Sequence, residues 1–305
     1  MRGQVHKSTG SWYTVKGEDG ERYDCRIRGK LRLLGSKSTN PIAVGDWVHF
    51  EHDSRDGSVI TGIEDRRNYI IRKSTNLSKQ THVLAANLDQ AVLVATLFEP
   101  RISLGFIDRF LVTAEAYDIP VHLLFNKSDL WGPDAFEVFD DIADIYQKAG
   151  YSISHCSVKT GAGIDQTRAL LHQKLTLVSG FSGVGKSSLL NRLFPHLELK
   201  TGEISQYSSK GTHTTTFAEM FEPEPDVQII DTPGIKELGV IDIAGYELGH
   251  FFPEMRPHLV DCKFSTCTHT HEPGCAIRQA VENQAISAER YKSYLSILNN
   301  EDTFN

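Results

Sequence analysis

In this 305-residue chain the tetrad Asn126-Lys127-Ser128-Asp129 comes before the glycine-rich octapeptide Gly180-Phe181-Ser182-Gly183-Val184-Gly185-Lys186-Ser187. That order constrains the fold more than any other feature. The octapeptide has the form of a phosphate-binding loop, between the apolar run Leu175 to Val178 and a helix-like stretch from Ser188 to Phe194. Strand, loop and helix are the context such a loop requires. Its glycines let backbone N–H groups turn inward around phosphate oxygens, the helix N-terminus adds partial positive charge, and Lys186 supplies a cation for the β- and γ-phosphates. Ser187 is placed to ligate Mg²⁺, and Ser188 beside it completes the helix start.

Asn126, Lys127 and Asp129 come directly after the apolar run Val121 to Phe125. A carboxylate placed there can accept two hydrogen bonds from the N1 and N2 donors of guanine. Adenine has no matching donor pair, so ATP would leave Asp129 desolvated and unpaired at a cost of about 1–3 kcal/mol. Ser157, Val158 and Lys159 succeed the strand-like Ser152 to Cys156 and are expected to close over the base from the other side. GTP and GDP are therefore the expected nucleotides, and the same tetrad argues against a P-loop kinase acting on a small metabolite.

Asp231 closes the apolar run Val227 to Ile230, so it stands at the carboxyl end of a buried strand, where ligands collect in α/β sheets. It would hold Mg²⁺ through water, and Gly234 would allow a close N–H approach to the γ-phosphate. Between the loop and Asp231 lies the Thr-rich segment Thr212 to Thr216. Either Thr215 or Thr216 would close onto Mg²⁺ and the γ-phosphate; the adjacent pair leaves the register open by one. Next to Gly234 stands Ile235, where Ras-type GTPases carry the Gln that orients the attacking water. An isoleucine cannot hold a water. Intrinsic hydrolysis is therefore expected to be slow, and a polar group supplied in trans can raise such a rate on the order of 10³–10⁵. His213 is the candidate catalytic group beside Lys186 and Thr215, although a surface histidine in a loop would look the same.

In ordinary GTPases the phosphate loop comes first, so the order found here is a circular permutation. Compact domains tolerate this because their termini often lie close together. Ile164 to His172 reads as the helix that normally ends the domain, a few residues ahead of the strand that normally begins it. With the cut after the second switch, the chain from Ile235 onward leads straight into the C-terminal segment, so γ-phosphate occupancy can be transmitted along one continuous stretch of backbone.

That C-terminal segment holds a second cluster: Cys262, four residues, Cys267, one residue, His269, five residues, Cys275. Three thiolates and an imidazole suit one closed tetrahedral Zn²⁺ site, and a structural ion would organise a segment too short for its own core. His271 is an alternative to His269 as the fourth ligand. The remaining two of the five cysteines, Cys25 and Cys156, read as ordinary buried thiols, and the pattern suits a reducing compartment.

The net charge of −7 conceals an uneven distribution: residues 1–72 carry 13 basic and 10 acidic side chains, residues 73–240 carry 14 and 20, and residues 241–305 carry 5 and 9. Any contact with nucleic-acid phosphate is therefore expected in the N-terminal module. Strand-like runs there span Ser11 to Lys16, Tyr23 to Arg28, Trp47 to Glu51 and Val59 to Ile63, with a turn at Glu18-Asp19-Gly20. Short strands so spaced suit a small barrel. Arg26, Arg28, Lys30 and Arg32 form a basic stretch, and Trp12 and Tyr13 could offer stacking faces; a solvated charged strand with core aromatics fits equally. Farther on, Gln90 to Leu97 reads as a strand, Leu104 to Tyr117 as a helix capped by Ser103, and Ala135 to Lys148 as another helix. Ser74 to Gln80 reads as a linker. Ser287 can cap a final helix with Tyr291, Tyr294, Leu295 and Leu298 on one face. No apolar run is long enough to span a membrane and Met1-Arg2-Gly3-Gln4 lacks a signal-peptide core, so a cytoplasmic protein is expected.

Four blocks together resemble the RsgA family of circularly permuted GTPases: Asn126 to Asp129, Gly180 to Ser187 with the run Gly211 to Thr216, Asp231 to Gly234, and Cys262 to Cys275. The likeness extends over nearly the whole chain, with Thr212 a mild departure. It implies a multidomain protein: an N-terminal OB-type β-barrel (residues 1–72), a central circularly permuted P-loop GTPase α/β domain (73–240) and a C-terminal zinc-binding domain (241–305). It also implies GTP hydrolysis stimulated by the small ribosomal subunit, with that subunit and its rRNA as partners and a role in late subunit maturation; a monomer is expected, although the sequence does not fix the oligomeric state. The alternative is a nucleotide-gated rRNA-binding module in which hydrolysis is incidental.

Overall fold

Burial alternates along Tyr13–Gly17, where every second residue faces the interior of a small barrel. The computed structural model describes residues 1–27, 41–53, 57–73, 81–199, 218–231 and 243–301. These fall into two compact units, Met1–Val92 with Ile164–Leu238, and Leu93–Gly163 with Gly239–Asn305. The expected linker, Ser74 to Gln80, lies outside the described residues.

The first unit opens with five strands: β1 (Arg2–Ser8), β2 (Tyr13–Gly17), β3 (Arg22–Ile27), β4 (Trp47–Asp53) and β5 (Gly57–Ile63). Their order is β1-β2-β3-β5-β4, and β4 pairs back onto β1 through Arg2↔His49, Gly3↔Val48 and Gln4↔Trp47, closing the ring. The contact between β3 and β5 is parallel and the others are antiparallel. This is a five-stranded OB-type barrel, and closure leaves no free sheet edge within it. Val5, Val15, Cys25, Val48, Phe50 and Ile60 fill its interior. The turn at Glu18-Asp19-Gly20 is present. β1 is a strand that the sequence pattern does not announce. Tyr13 corrects an expectation: it is a core residue at 1% exposure, because its place on β2 faces inward, and only Trp12, under the Arg26 guanidinium, remains exposed.

A hairpin, β6 (Tyr69–Lys73) with β7 (Thr81–Ala86), leads to β8 (Gln90–Ala95), whose residues are all buried. β8 begins in the first unit and ends in the second. Within the first unit, α3 (Ile164–Leu171) precedes β11 (Lys174–Gly180), α4 (Lys186–Leu193), β12 (Glu219–Glu224) and β13 (Val227–Asp231). β11 pairs parallel with β13 from Lys174↔Val227 to Val178↔Asp231, and β12 returns antiparallel along β13.

The second unit holds α1 (Leu104–Glu115), β9 (Val121–Phe125), α2 (Pro133–Lys148), β10 (Ser152–His155), α5 (Arg256–Leu259), α6 (Ala276–Glu282) and α7 (Ala288–Leu298). Ser103 and Ser287 cap α1 and α7 as expected, accepting from the N–H groups of Phe106 at 3.3 Å and Glu289 at 3.2 Å. β9 and β10 pair parallel from His122↔Ser152 to Phe125↔His155.

The segment after residue 243 shares its core with α1: Val112 packs with Leu248, Phe252, Met255, Ile277, Tyr294 and Ile297. A buried ion cluster reinforces the join. Arg290, 1% exposed, donates to Asp108 at 2.6 Å and to both oxygens of Glu254 at 2.7 and 3.0 Å, while the Tyr146 hydroxyl donates to Asp108 at 2.9 Å. The coulombic pull and hydrogen bonds of the two carboxylates outweigh desolvation and hold Arg290 firmly protonated. Breaking such a buried network strands charge without partners. Arg290→Ala is therefore expected to lower stability by about 3–5 kcal/mol in urea unfolding, whereas replacing Arg290, Asp108 and Glu254 together by apolar residues of similar volume should be close to neutral.

Candidate nucleotide and metal sites

The phosphate-loop residues lie between β11 and α4. Gly183 and Gly185 have φ of 84° and 92°, backbone that a side chain would strain, so glycine at these two positions is required by the turn itself. Val184 is buried and anchors the loop, Ser187 is 6% exposed at the start of α4, and Ser182 and Gly183 face solvent. Phe181 and Ser188 are half-buried. Lys186 reaches back over the loop and donates to the carbonyls of Gly180 at 2.5 Å and Phe181 at 2.9 Å. Burial lowers its pKa, and the charge of Asp231 partly opposes the shift.

Asp231 ends β13 opposite Val178 of β11. Burial raises its pKa, with Lys186 acting in the other direction, and its Oδ1 is buried without a hydrogen-bond partner. A desolvated carboxylate oxygen beside the loop lysine is what a hydrated cation would satisfy. His213, Thr215, Thr216, Gly234 and Ile235 lie outside the described residues.

The base-reading residues are organised by β9 and β10 in the second unit. Asn126 N–H donates to Ala95 of β8 at 2.8 Å, and Ser128 N–H donates to the Cys156 carbonyl at 3.1 Å. Lys127 has φ of 66° and its ammonium donates to the Glu99 carbonyl. The Ser157 hydroxyl, fully buried, donates to Asp129 Oδ1 at 2.6 Å, while the exposed Lys159 ammonium stands 3.8 Å from Oδ2. Asn126, Asp129 and Ser157 are thus brought together, with Val158 half-buried beside them. A charge-assisted hydrogen bond of this kind holds Asp129 in one rotamer.

Three contributors have no signature in the sequence pattern. Glu99 offers only its carbonyl to Lys127, which no side-chain pattern announces. Cys156 is buried as expected, but its thiol also lies 3.6 Å from Asn126 Oδ1. Gly163 has φ of 71°, and a Cβ there would lie 2.4 Å from the His155 carbonyl, so the turn after Ser157 needs glycine.

Cys262, Cys267, His269 and Cys275 converge so that their ligand atoms all lie within 4.8 Å of one another. His269 Nδ1 is 3.6 Å from Cys262 Sγ and 3.5 Å from Cys275 Sγ. Zn–S bonds of about 2.3 Å at tetrahedral angles separate ligand sulfurs by roughly 3.8 Å, so this donor set fits a zinc ion. His271 is exposed and bonded to Thr270, away from the group. Burial, with the crowding of neighbouring thiols, pushes the Cys267 thiol up to about 12, a penalty that a bound cation reverses. Glu272 braces the loop by accepting from Thr268 and Thr270, and the Tyr291 and Tyr294 hydroxyls donate to the carbonyls of His269 and Thr268 at 2.6 and 2.9 Å.

The model of the RsgA GTPase matches residues 63–241, and that of the RsgA N-terminal domain matches residues 2–60. The chain belongs to the RsgA GTPase family. Over 302 residues it is 52% identical to the small ribosomal subunit biogenesis GTPase RsgA 2 of Bacteroides thetaiotaomicron, covering 99% of this chain and 97% of that protein. It is 50% identical over 305 residues to RsgA of Christiangramia forsetii, covering 99% and 97%. The crystal structure of YjeQ from Thermotoga maritima superimposes with a TM-score of 0.79 at 35% identity, covering 98% of this chain and 97% of that one. YloQ, a circularly permuted GTPase, does so with 0.74 at 27%, covering 98% and 94%. As a member of this family the chain is a GTPase, hence a hydrolase that uses guanine nucleotide with Mg²⁺, and its Cys₃His group is compatible with zinc. Among the described residues no helix is long and apolar enough to cross a membrane.

Because burial penalises the charged form of Asp231, Asp231→Asn should stabilise the nucleotide-free protein by about 1 kcal/mol in thermal unfolding while weakening Mg²⁺-dependent nucleotide retention. Metal analysis should find about one zinc per chain. Cys275→Ser should lose it and loosen the core around Tyr294, leaving the phosphate loop able to bind nucleotide.

Proposed function

We propose that this chain hydrolyses GTP to GDP and phosphate in step with its association with the small ribosomal subunit, as a maturation factor for that subunit. The observation that carries the nucleotide part is the pair Lys186 and Asp231: a loop lysine donating only to its own carbonyls and a buried carboxylate oxygen with no donor. The relatives named as small ribosomal subunit biogenesis GTPases, about half identical over the full chain, support the partner.

In this reading Gly180 to Gly185 wrap backbone N–H groups around the phosphates, and Lys186 exchanges the Gly180 and Phe181 carbonyls for phosphate oxygens. Ser187, Asp231 and Thr215 or Thr216 hold Mg²⁺ directly or through water, and the ion supplies charge neutralisation at the phosphate oxygens. Asp129, fixed by Ser157, accepts from the guanine edge; Asn126 and Lys127 flank the base, and Val158 and Lys159 cover it. Gly234 donates toward the γ-phosphate and His213 orients the attacking water, the role that Ile235 cannot fill. Cys262, Cys267, His269 and Cys275 hold one structural zinc. The division into a barrel (1–72), a permuted GTPase domain (73–240) and a zinc domain (241–305) belongs to the same reading, as do rRNA as the surface contacted, a monomeric state and a cytoplasmic setting.

Hydrolysis measured with and without purified small ribosomal subunits tests this. Stimulation on the order of 10³ or more is expected, because the slow intrinsic rate awaits a group or a loop conformation that the partner provides. Equal rates with and without subunits would remove the ribosomal part and leave the nucleotide chemistry standing.

A further inference from the structure

The barrel is fastened to the β12–β13 hairpin by charge more than by backbone. Among the described residues a single ladder pair, Lys7↔Glu219, joins β1 to β12. Around it, Lys7 pairs with Glu219 at 3.1 Å and Lys16 of β2 donates to Glu222 Oε2 at 2.6 Å. His6, 2% exposed with neither ring nitrogen hydrogen-bonded, lies 3.8 Å from Glu222 Oε1. Gln228 of β13 bridges the two sides, donating to Glu222 Oε1 at 3.1 Å and to Gln4 Oε1 at 3.3 Å.

Glu222 is the hub of this set, collecting partners from β1, β2 and β13. Its place in the chain gives the hub a meaning. β12 begins three residues after Thr216, and β13 ends at Asp231, so one short hairpin carries both nucleotide-sensing segments at its ends. A displacement of that hairpin moves Glu222 and Gln228, and the 2.6 Å ion pair of Glu222 with Lys16 and the 3.3 Å hydrogen bond from Gln228 to Gln4 tie the barrel to that movement.

We propose that Glu222 is a positioning residue that couples the barrel to the nucleotide state of the phosphate loop. This rests on the nucleotide reading above but not on the ribosomal one. By linkage the coupling is reciprocal: whatever the barrel binds shifts the preference between GTP and GDP by the same factor by which the nucleotide shifts barrel binding, a factor that in coupled systems is about 5–150. It also departs from transmission through the chain beyond Ile235 alone, because the signal leaves the switch segments through β12 as well.

Hydrogen exchange on the full chain, loaded with GDP or a non-hydrolysable GTP analogue, tests the coupling. In the wild type the two nucleotides should give different exchange rates in Gly180 to Ser187 and also in β1 and β2. Glu222→Ala should erase the difference in β1 and β2 while keeping it in the loop, Lys16→Ala should reduce it, and the charge exchange Glu222→Lys with Lys16→Glu should restore it. A wild-type barrel indifferent to nucleotide, or a difference that survives Glu222→Ala, overturns the proposal. If barrel protection collapses in both states of Glu222→Ala, the variant has lost its fold, and Lys16→Ala decides instead: a difference in β1 and β2 as large as in the wild type overturns the proposal. No difference even in the loop would instead defeat the nucleotide reading, and the coupling with it.

Discussion

Parallel pairing of β11 with β13 is the constraint on which the phosphate chemistry rests. The register sets Val178 opposite Asp231, two residues before β11 ends at Gly180, so the loop leaving β11 and the carboxylate ending β13 meet beside Lys186. Each group is costly by itself: the lysine is partly desolvated and the carboxylate more so. Their mutual field reduces the penalty without removing it, and the remainder is what a triphosphate with its metal ion can offset. The sheet therefore holds a local destabilisation at the point where the proposed nucleotide would bind, the usual exchange between stability and function.

The second unit solves a different problem. A segment of about sixty residues buries too small a share of its surface to be more than marginally stable by itself. It borrows α1 for its core, inserts Arg290 between Asp108 and Glu254, and gathers three thiols and an imidazole into a metal-sized group. The ion cluster adds geometric specificity where apolar packing alone would tolerate sliding, because a guanidinium fork accepts only a narrow range of carboxylate placements.

Much of this is legible in the residues. The loop from Gly180 to Ser187, the Asn126 to Asp129 tetrad and the Cys262 to Cys275 spacing are local patterns whose chemistry needs particular residue types at fixed intervals, so they survive translation into sequence. Ser103 and Ser287 announce their helices for the same reason. β1 does not show, because its polar residues Gln4 and His6 are buried against the β12–β13 hairpin and disguise the alternation expected of a strand. Tyr13 passes for a surface stacking face because its neighbour Trp12 is exposed and the phase of β2 cannot be set without its partners.

The residues alone pointed to the chemistry: a glycine-rich loop suited to phosphate, a carboxylate suited to guanine, and three thiols with an imidazole suited to zinc. Those properties belong to short segments and depend on side-chain type and spacing. Tertiary structure decided the rest: that Ser157 locks Asp129, that the Glu99 carbonyl takes Lys127, that Arg290 is buried between two acids, and that Glu222 ties the barrel to the nucleotide hairpin. Each joins residues tens to hundreds of positions apart. Such contacts have no local signature, because they exist only once strand register and helix packing have closed the intervening chain.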